Sequence, residues 1–479
     1  MCCRFNCCPE SALMNELLRV EHLIIRHGER VLVDDVSFTL LPGRPFTLLG
    51  RSGAGKSLTM QAIMGTLPPS LSMEGSIWLG ERCLSTLPAT ARRALWGRTL
   101  AMLPQEPWRA LDPTRHAGLQ IRDVFHWVRG WRRSTARKGT DKLLERLALT
   151  SHQYKYPGEL SGGMCQRITV AMAQAAGAQL LLADEPTKGL DESMKQEVAS
   201  RLREACGEER LLLTITHDVA LADVLGGDVG ILCEGRLVEC GEASQVLVNP
   251  AQDYTRTLLR AEPRHWPNWH KVARSQPWLI RAEQLGHRIG EQTLFDGINL
   301  TLAPGQVTVL TGPSGGGKTT LGNLVTGFRP LQQGAIIRQP LLCDEQIQKL
   351  YQDPPAAFIN RLPLAVQFAD LQKRHGIERS RVDHWLEQLG LSPDLLVNTP
   401  EQVSGGELQR LALARAMLLN PKVLFADEAT SRLDPISQQQ VISVLKQCVE
   451  RDGLSLLLVS HDTHLVKHMA DEVVTVGMN

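Results

Sequence analysis

Long apolar runs are what this chain most plainly lacks. A bilayer-spanning helix needs roughly 20 consecutive apolar residues, and no stretch of the 479 residues approaches that. The longest, such as Leu211-Leu212-Leu213 and Leu456-Leu457-Leu458-Val459, are short and suit buried parallel strands. The chain is therefore not expected to cross a membrane. An excess of either charge is also missing: 52 Lys and Arg stand against 51 Asp and Glu. That balance gives no basis for a nucleic-acid or polybasic membrane partner. Paired cysteines are absent too. Of eleven cysteines, Cys2, Cys3, Cys7 and Cys8 crowd the first eight residues and the rest are scattered singly. For the first four a redox or zinc role is one reading, although they lack a matching His or Cys-x-x-Cys partner set; an over-called start is the other. Without a disulfide framework, a reducing cytosol is the expected setting. Residues 1–14 read as a non-core extension without the basic flank and apolar core of a signal peptide, and Met14 opens the first expected strand.

What the chain does have is length and self-similarity. Its 479 residues are too many for one ordinary core and suit two domains of about 200–250 residues. GRSGAGKS (50–57) recurs as GPSGGGKT (312–319), and LSGGMCQR (160–167) recurs as VSGGELQR (403–410). LLLADEPT (180–187) recurs as VLFADEAT (423–430), and ITHD (215–218) recurs as VSHD (459–462). Lys56 and Lys318 lie 262 positions apart, whereas Ser161 and Ser404, like Asp184 and Asp427, lie 243 apart. The second copy is thus shorter between its glycine loop and its SGG motif, mostly before Gln352. Such ordered repetition identifies a tandem duplication. The copies are expected over 15–260 and 279–479. Residues 261–278, AEPRHWPNWHKVARSQPW, read as a proline-broken linker. Its tryptophans either pin it to a domain surface or are simply buried under a loop. Extended, it would reach about 60 Å, enough to let the halves face each other.

Each glycine loop has the form G-x4-G-K-[ST], follows an apolar strand (45–49 and 307–311) and precedes a helix-forming stretch. In that context the backbone N–H groups can wrap phosphates, helped by the dipole of the helix N-terminus. The candidate contacts are Gly50, Ser52, Gly53, Gly55, Lys56, Ser57 and Leu58 in the first copy. In the second they are Gly312, Ser314, Gly315, Gly317, Lys318, Thr319 and Thr320. Lys56 and Lys318 would reach the terminal phosphates, and Ser57 and Thr319 would ligate Mg2+. Asp184 and Asp427, at the tips of apolar strands, can hold the Mg2+ shell. Glu185 and Glu428 follow at once, placed to polarise an attacking water. His217 and His461 come 32 and 33 residues after those glutamates, each following another apolar strand, near enough in such a fold to contact the γ-phosphate as catalytic residues. Gln105 and Gln352, before Glu-Pro and Asp-Pro, are candidates for the metal or the water. Ser161, Gly162 and Gly163, like Ser404, Gly405 and Gly406, open a helix and make a second anion site. A second anion site in each copy is surplus unless it serves the other copy's nucleotide, so each is expected to complete the other's site.

Taken together, these motifs resemble the ATP-binding-cassette ATPases over nearly all of the chain after Met14. The resemblance implies an α/β fold of two tandem P-loop cassettes, each a RecA-like core with an antiparallel β subdomain and a helical subdomain. It implies ATP and Mg2+ as cofactors and pairing of the cassettes within the chain. Residues 188–191 and 431–434 would be D-loops, and both sites are expected to be competent. His27 and Ile289 fall where the family often stacks the adenine on an aromatic; Ile289 can only pack, and Met164 and Lys188 also depart from the commonest motif residues.

The segment NPAQDYTRTLL (249–259) resembles a tail shared by the ATPases of oligopeptide, dipeptide and nickel importers. QEPWRALDPT and QDPPAAFINR resemble the same subfamily's stretch after the Q-loop, and SGGM its first nickel-type ATPase. The implied role is the energising subunit of a bacterial importer of peptides, nickel or metal-chelates, peripheral to the cytoplasmic face of the inner membrane. Its partners would be two membrane permeases and a solute-binding protein, with no nucleic acid. The helical subdomains, roughly 107–159 and 353–402, would dock the permeases. The alternative is a fused-cassette protein of non-transport type, translation-factor-like or regulatory; the translation factors carry a long charged helical linker that this chain lacks.

Overall fold

A computed structural model describes residues 17–105, 110–188, 192–267, 277–290, 292–313, 315–430 and 433–477. The cysteines of the first eight residues, Ser314, the centre of the linker and parts of both expected D-loops lie outside the described residues. The chain divides into two compact units, Met1–Leu259 and Arg260–Asn479.

In unit 1, β1 (Leu18–His27), β2 (Arg30–Leu40), β4 (Ser72–Leu79) and β5 (Arg82–Cys83) form an antiparallel sheet in the order β2-β1-β4-β5. Alternation buries Leu18 and Val20, and an irregularity at His22 (φ 50°) shifts the phase by one residue so that Leu23 and Ile25 are buried as well. The second sheet runs β10-β9-β3-β8-β7-β6. Its strands are β3 (Phe46–Leu49), β6 (Leu100–Leu103), β7 (Leu180–Asp184), β8 (Leu211–Thr216), β9 (Asp228–Cys233) and β10 (Arg236–Glu242). All pairs are parallel except β9 with β10. The uninterrupted apolar run at Leu211–Leu213 is fully buried in β8, as a parallel strand covered on both faces must be. Helices Ala117–Asp123 and Arg133–Arg146 pack with Gly162–Ala176 around Ile121, Phe125, Leu144 and Ile168. The last helix of unit 1, Asp253–Arg260, runs to the boundary between the units.

Unit 2 repeats the plan in reduced form. Strands β11 (Ile280–Ile289), β12 (Gln292–Leu302) and β14 (Gln333–Arg338) make the antiparallel sheet. The parallel sheet runs β15-β16-β17-β13-β18. Its members are β13 (Val307–Thr311), β15 (Ile347–Leu350), β16 (Val423–Asp427), β17 (Ser455–Val459) and β18 (Glu472–Thr475). Helices Leu364–His375 and Arg379–Gln388 pack with Gly405–Met417. Between β14 and β15 the chain makes only a short turn with a 3-10 segment, Asp344–Gln346, where unit 1 carries β5 and the helix Ala89–Arg93. That is where most of the missing residues of the second copy fall. Trp266, from the expected linker, packs half-buried against the core of unit 2 and meets His468 edge-on.

One core substitution is compensated. In unit 1 Met60, on the helix Lys56–Met64, is buried in the same cluster as Leu182 of β7. The equivalent positions in unit 2 are Gly322 and Phe425, and a Cβ on Gly322 would collide with the edge of the Phe425 ring at Cζ. A small residue on the helix accommodates a large one on the strand, preserving packing volume.

Candidate functional site

Both glycine loops fold tightly against the strand beside them. A Cβ on Gly50 would overlap the Leu232 carbonyl, and one on Gly312 the Val476 carbonyl, so only glycine fits there. Gly55 and Gly317 cap their helices at φ 99° and 93°, a conformation that costs any other residue strain. Lys56 and Lys318 are nearly buried, and their ammonium groups lie inside the loops. Lys56 Nζ donates to the carbonyls of Gly50 (2.7 Å) and Arg51 (2.9 Å), and Lys318 Nζ to those of Gly312 (3.0 Å) and Pro313 (2.8 Å). Ser52, Gly53 and Ser57, like Gly315 and Thr319, are exposed, with Leu58 and Thr320 partly covered behind them. A phosphate entering this concavity meets exposed first-turn N–H groups and a fixed positive charge.

The loops differ at one backbone group. The Arg51 N–H donates to the phenol oxygen of Tyr254 (3.3 Å), on the terminal helix of unit 1. Pro313 occupies the equivalent place in unit 2 and has no N–H to satisfy.

Beside each loop stands a carboxylate pair at the tip of a parallel strand. Asp184 Oδ1 is buried and has no hydrogen-bond partner. Burial, and then the neighbouring charge of Glu185, push the Asp184 carboxyl up to about 6, against the pull of Lys56 and Lys188. In unit 2 the Thr319 hydroxyl donates to Asp427 Oδ1 at 2.8 Å, and Lys349 Nζ stands 3.5 Å from Asp427 Oδ2. Burial still raises the Asp427 carboxyl, with Thr319 and Lys349 opposing it. A hydroxyl with a carboxylate is a hard oxygen donor set suited to Mg2+, and the orphaned Asp184 oxygen fits the same ion. No cluster of three His, Cys, Asp or Glu capable of holding a metal occurs among the described residues. An ion carried on ATP needs few protein ligands, because phosphates and water supply the rest.

Glu185 and Glu428 adopt φ 47° and 48°, a left-handed conformation that turns each side chain towards its histidine and is costly outside glycine. Glu185 Oε1 lies 2.9 Å from His217 Nδ1, and its Oε2 accepts from the Thr216 hydroxyl at 3.0 Å. Glu428 Oε1 lies 3.0 Å from His461 Nε2, and its Oε2 accepts from Gln352 Nε2 at 2.8 Å. Burial alone would raise the Glu185 carboxyl, but the charge and hydrogen bond of His217, then Lys56 and Lys188, bring it down to about 2. Glu428 is lowered in the same way, by His461, Lys318 and Gln352 against its burial. Both glutamates are therefore held as carboxylates, the form needed to accept a proton from water. Each histidine is fixed by the Asp that follows it, which caps the next helix: Asp218 accepts from Leu221 N–H and Asp462 from Leu465 N–H.

Gln105 makes no hydrogen bond to Glu185, so the two Q-positions differ. Ser161 and Ser404 are the N-caps of Gly162–Ala176 and Gly405–Met417. Ser161 Oγ accepts from Met164 N–H, while Ser404 exchanges bonds with Glu407 in a capping box. A Cβ on Gly162 or Gly405 would meet nothing within 4 Å, so these turns are open, whereas Gly163 backs onto Met194 and Gly406 onto Leu433. His27 and Ile289 end β1 and β11, both exposed. Three contributors escaped the motif reading: Thr216, Tyr254 and Lys349. Only Lys349 left a signal, a lone charge in the short strand IQKL.

Comparison with known proteins agrees with this geometry. The ABC transporter family model matches residues 33–188 and 295–431, and the chain belongs to that family. It is an ATPase built of two fused ATP-binding cassettes. It is 34% identical to the peptidoglycan transport ATP-binding protein YejF of Agrobacterium fabrum, over 93% of this chain and 87% of that one. It is 30% identical to the glutathione import ATP-binding protein GsiA of Salmonella typhi, over 93% and 82%. The archaeal ribosome recycling factor aABCE1, solved with the stalk protein aP1, shares the fold at TM-score 0.66 and 18% identity, covering 97% of this chain and 88% of that one. That likeness shows the fold alone.

Proposed function

We propose that this chain is the energy-coupling ATPase of a bacterial importer whose cargo is a peptide or a peptide-containing compound. What carries the reading is that both units hold a full hydrolytic set: phosphate loop, strand-tip carboxylate, and a glutamate within hydrogen-bond distance of a histidine. The names of the relatives and the importer-like tail at 249–259 favour uptake over a ribosomal or regulatory role, and they favour peptide cargo over nickel or metal-chelates. Among the described residues no helix is long and apolar enough to cross a membrane, so two permease subunits would form the pore, with a solute-binding protein delivering the cargo. The chain would work at the cytoplasmic face of the membrane.

In this reading Lys56 and Lys318 grip the β- and γ-phosphates. Mg2+, carried in on ATP, would be held by Ser57 and Asp184 in unit 1 and by Thr319 and Asp427 in unit 2, with Gln105 and Gln352 nearby. When bound, that ion would supply charge neutralisation at the transferred phosphoryl group. Glu185 and Glu428 orient the attacking water and accept its proton; His217 and His461 hold those carboxylates in place. The SGG turns at Ser161 and Ser404 would each serve the nucleotide bound by the other cassette. The helical regions near 107–159 and 353–402 would dock the permeases.

The test is the double substitution Glu185→Gln, Glu428→Gln. ATP turnover should fall by about 100-fold or more while nucleotide binding persists. Undiminished turnover would overturn the assignment of the catalytic base. Co-purification with the permeases, and stimulation of ATPase by a peptide-loaded binding protein, test the import role.

A further inference from the structure

The two strand-tip carboxylates have the same sequence context and different company. In unit 2, Lys349 is almost fully covered, with its side chain 9% exposed and that of Asp427 4%. Its ammonium lies 3.5 Å from Asp427 Oδ2, 2.8 Å from Asn323 Oδ1, and 5.0 Å from the ring centroids of both Tyr351 and Phe425. Strand pairing fixes the equivalents in unit 1. Lys349 pairs with Phe425 as Met102 pairs with Leu182. Asn323 corresponds to Gln61, whose Oε1 is buried without a partner. Unit 1 therefore offers an uncharged Met102 where unit 2 has a cation. It does have Lys188 near Asp184, but that residue sits half-buried on the loop after Glu185, and Asp184 Oδ1 still lacks a partner.

We propose that Lys349 is a resident cation of the second nucleotide site, holding Asp427 in the role that a divalent ion plays against Asp184 in the first. Unit 2 then binds adenine nucleotide with little dependence on Mg2+, whereas unit 1 depends on it strongly. This rests on the reading above that Thr319 and Asp427 form the metal-holding pair of unit 2. An incoming Mg2+ must share Asp427 with the ammonium and tolerate a positive charge a few ångströms away, where screening is weak. The lysine does not yield easily: it is packed between two rings that favour a cation, and separating it from Asp427 leaves a buried charge unpaired. The consequence is two unequal sites in one chain, one gated by metal and one that retains nucleotide.

The experiment uses the full chain in two backgrounds, Lys56→Ala to leave only the unit 2 loop competent and Lys318→Ala to leave only that of unit 1. Binding of a fluorescent ADP analogue is measured in EDTA and in excess Mg2+, and bound Mn2+ is counted by electron paramagnetic resonance. Mg2+ should tighten binding at unit 1 by about tenfold or more and at unit 2 by less than about threefold. Lys349→Met should bring unit 2 up to the response of unit 1 and tighten Mn2+ binding there, while Lys349→Arg should leave the response small. A strong and equal metal response at both parent sites, or a Lys349→Met protein that still ignores metal while unit 1 responds, overturns the proposal. Should Lys349→Met fail to fold, Met102→Lys with Gln61→Asn in unit 1 must lower the metal response there, and an unchanged response counts against the proposal. A flat response at both parent sites would instead refute the metal-pair reading on which it stands.

Discussion

Replacing Asp184 by Asn should make the nucleotide-free protein more stable while removing a residue the site needs. The folded chain holds the Asp184 carboxyl up to about 6, from an ordinary value of 3.8. Each unit of displacement corresponds to about 1.4 kcal/mol, so the ionised group costs the fold about 3 kcal/mol. Compaction of the denatured chain and the imperfect fit of an amide reduce the recoverable part to about 2 kcal/mol. For a unit of this size that is a rise in melting temperature of about 4–8 °C. The sign follows from proton binding. Between 3.8 and about 6 the folded state keeps a proton that the unfolded chain has released, so stability falls as pH rises through that window and stays low above it. The gain from Asp184→Asn should therefore be full at pH 7.5 and shrink as the pH is lowered from 6 towards 4. Asp427→Asn should gain less, because it strands the ammonium of Lys349. Scanning calorimetry of the nucleotide-free chain at several pH values reads all three expectations. A melting temperature lowered by Asp184→Asn at pH 7.5, or a gain independent of pH, would refute the reasoning.

Two further outcomes follow from the packing. Gly322→Ala should destabilise unit 2 by about 1–3 kcal/mol through collision with Phe425, and adding Phe425→Leu should restore most of the loss in a denaturant titration; no effect of the single substitution would contradict the close approach. Tyr254→Phe should remove the bond that the Arg51 N–H donates to the phenol and weaken nucleotide binding at unit 1 by about three- to tenfold, with unit 2 unaffected; equal weakening at both sites would rule out that local cause.

How much of this could be read from the residue order depends on how local each feature is. The glycine loops, strand-tip carboxylates and SGG caps are short motifs whose geometry is dictated within a few residues, so their positions were legible. So were the parallel strands at 211–213 and 456–459, since only burial on both faces tolerates such runs. The pairing of Glu185 with His217 was foreshadowed only by matched spacing, because the two meet through adjacent strands β7 and β8. The embrace of Asp427 by Lys349 was not legible: it depends on β15 lying beside β16 and on the room left by Gly322, neither of which spacing reveals. The same holds for Tyr254, which crosses more than 200 residues of sequence to reach Arg51. Gln105 and Gln352 look equivalent in their motifs, yet only Gln352 reaches its glutamate.

The exchange of Met60 and Leu182 for Gly322 and Phe425 means the two halves have ceased to be interchangeable parts. Transplanting the 180–184 strand into the second half would open a void beneath Gly322. The reverse graft would drive an aromatic ring into Met60. Gene conversion between the two copies, which would otherwise keep them alike, is penalised unless helix and strand travel together, and the lysine that accompanies Phe425 is carried along with them. Divergence of the two nucleotide sites is thus anchored in the hydrophobic core, out of reach of single changes at the surface.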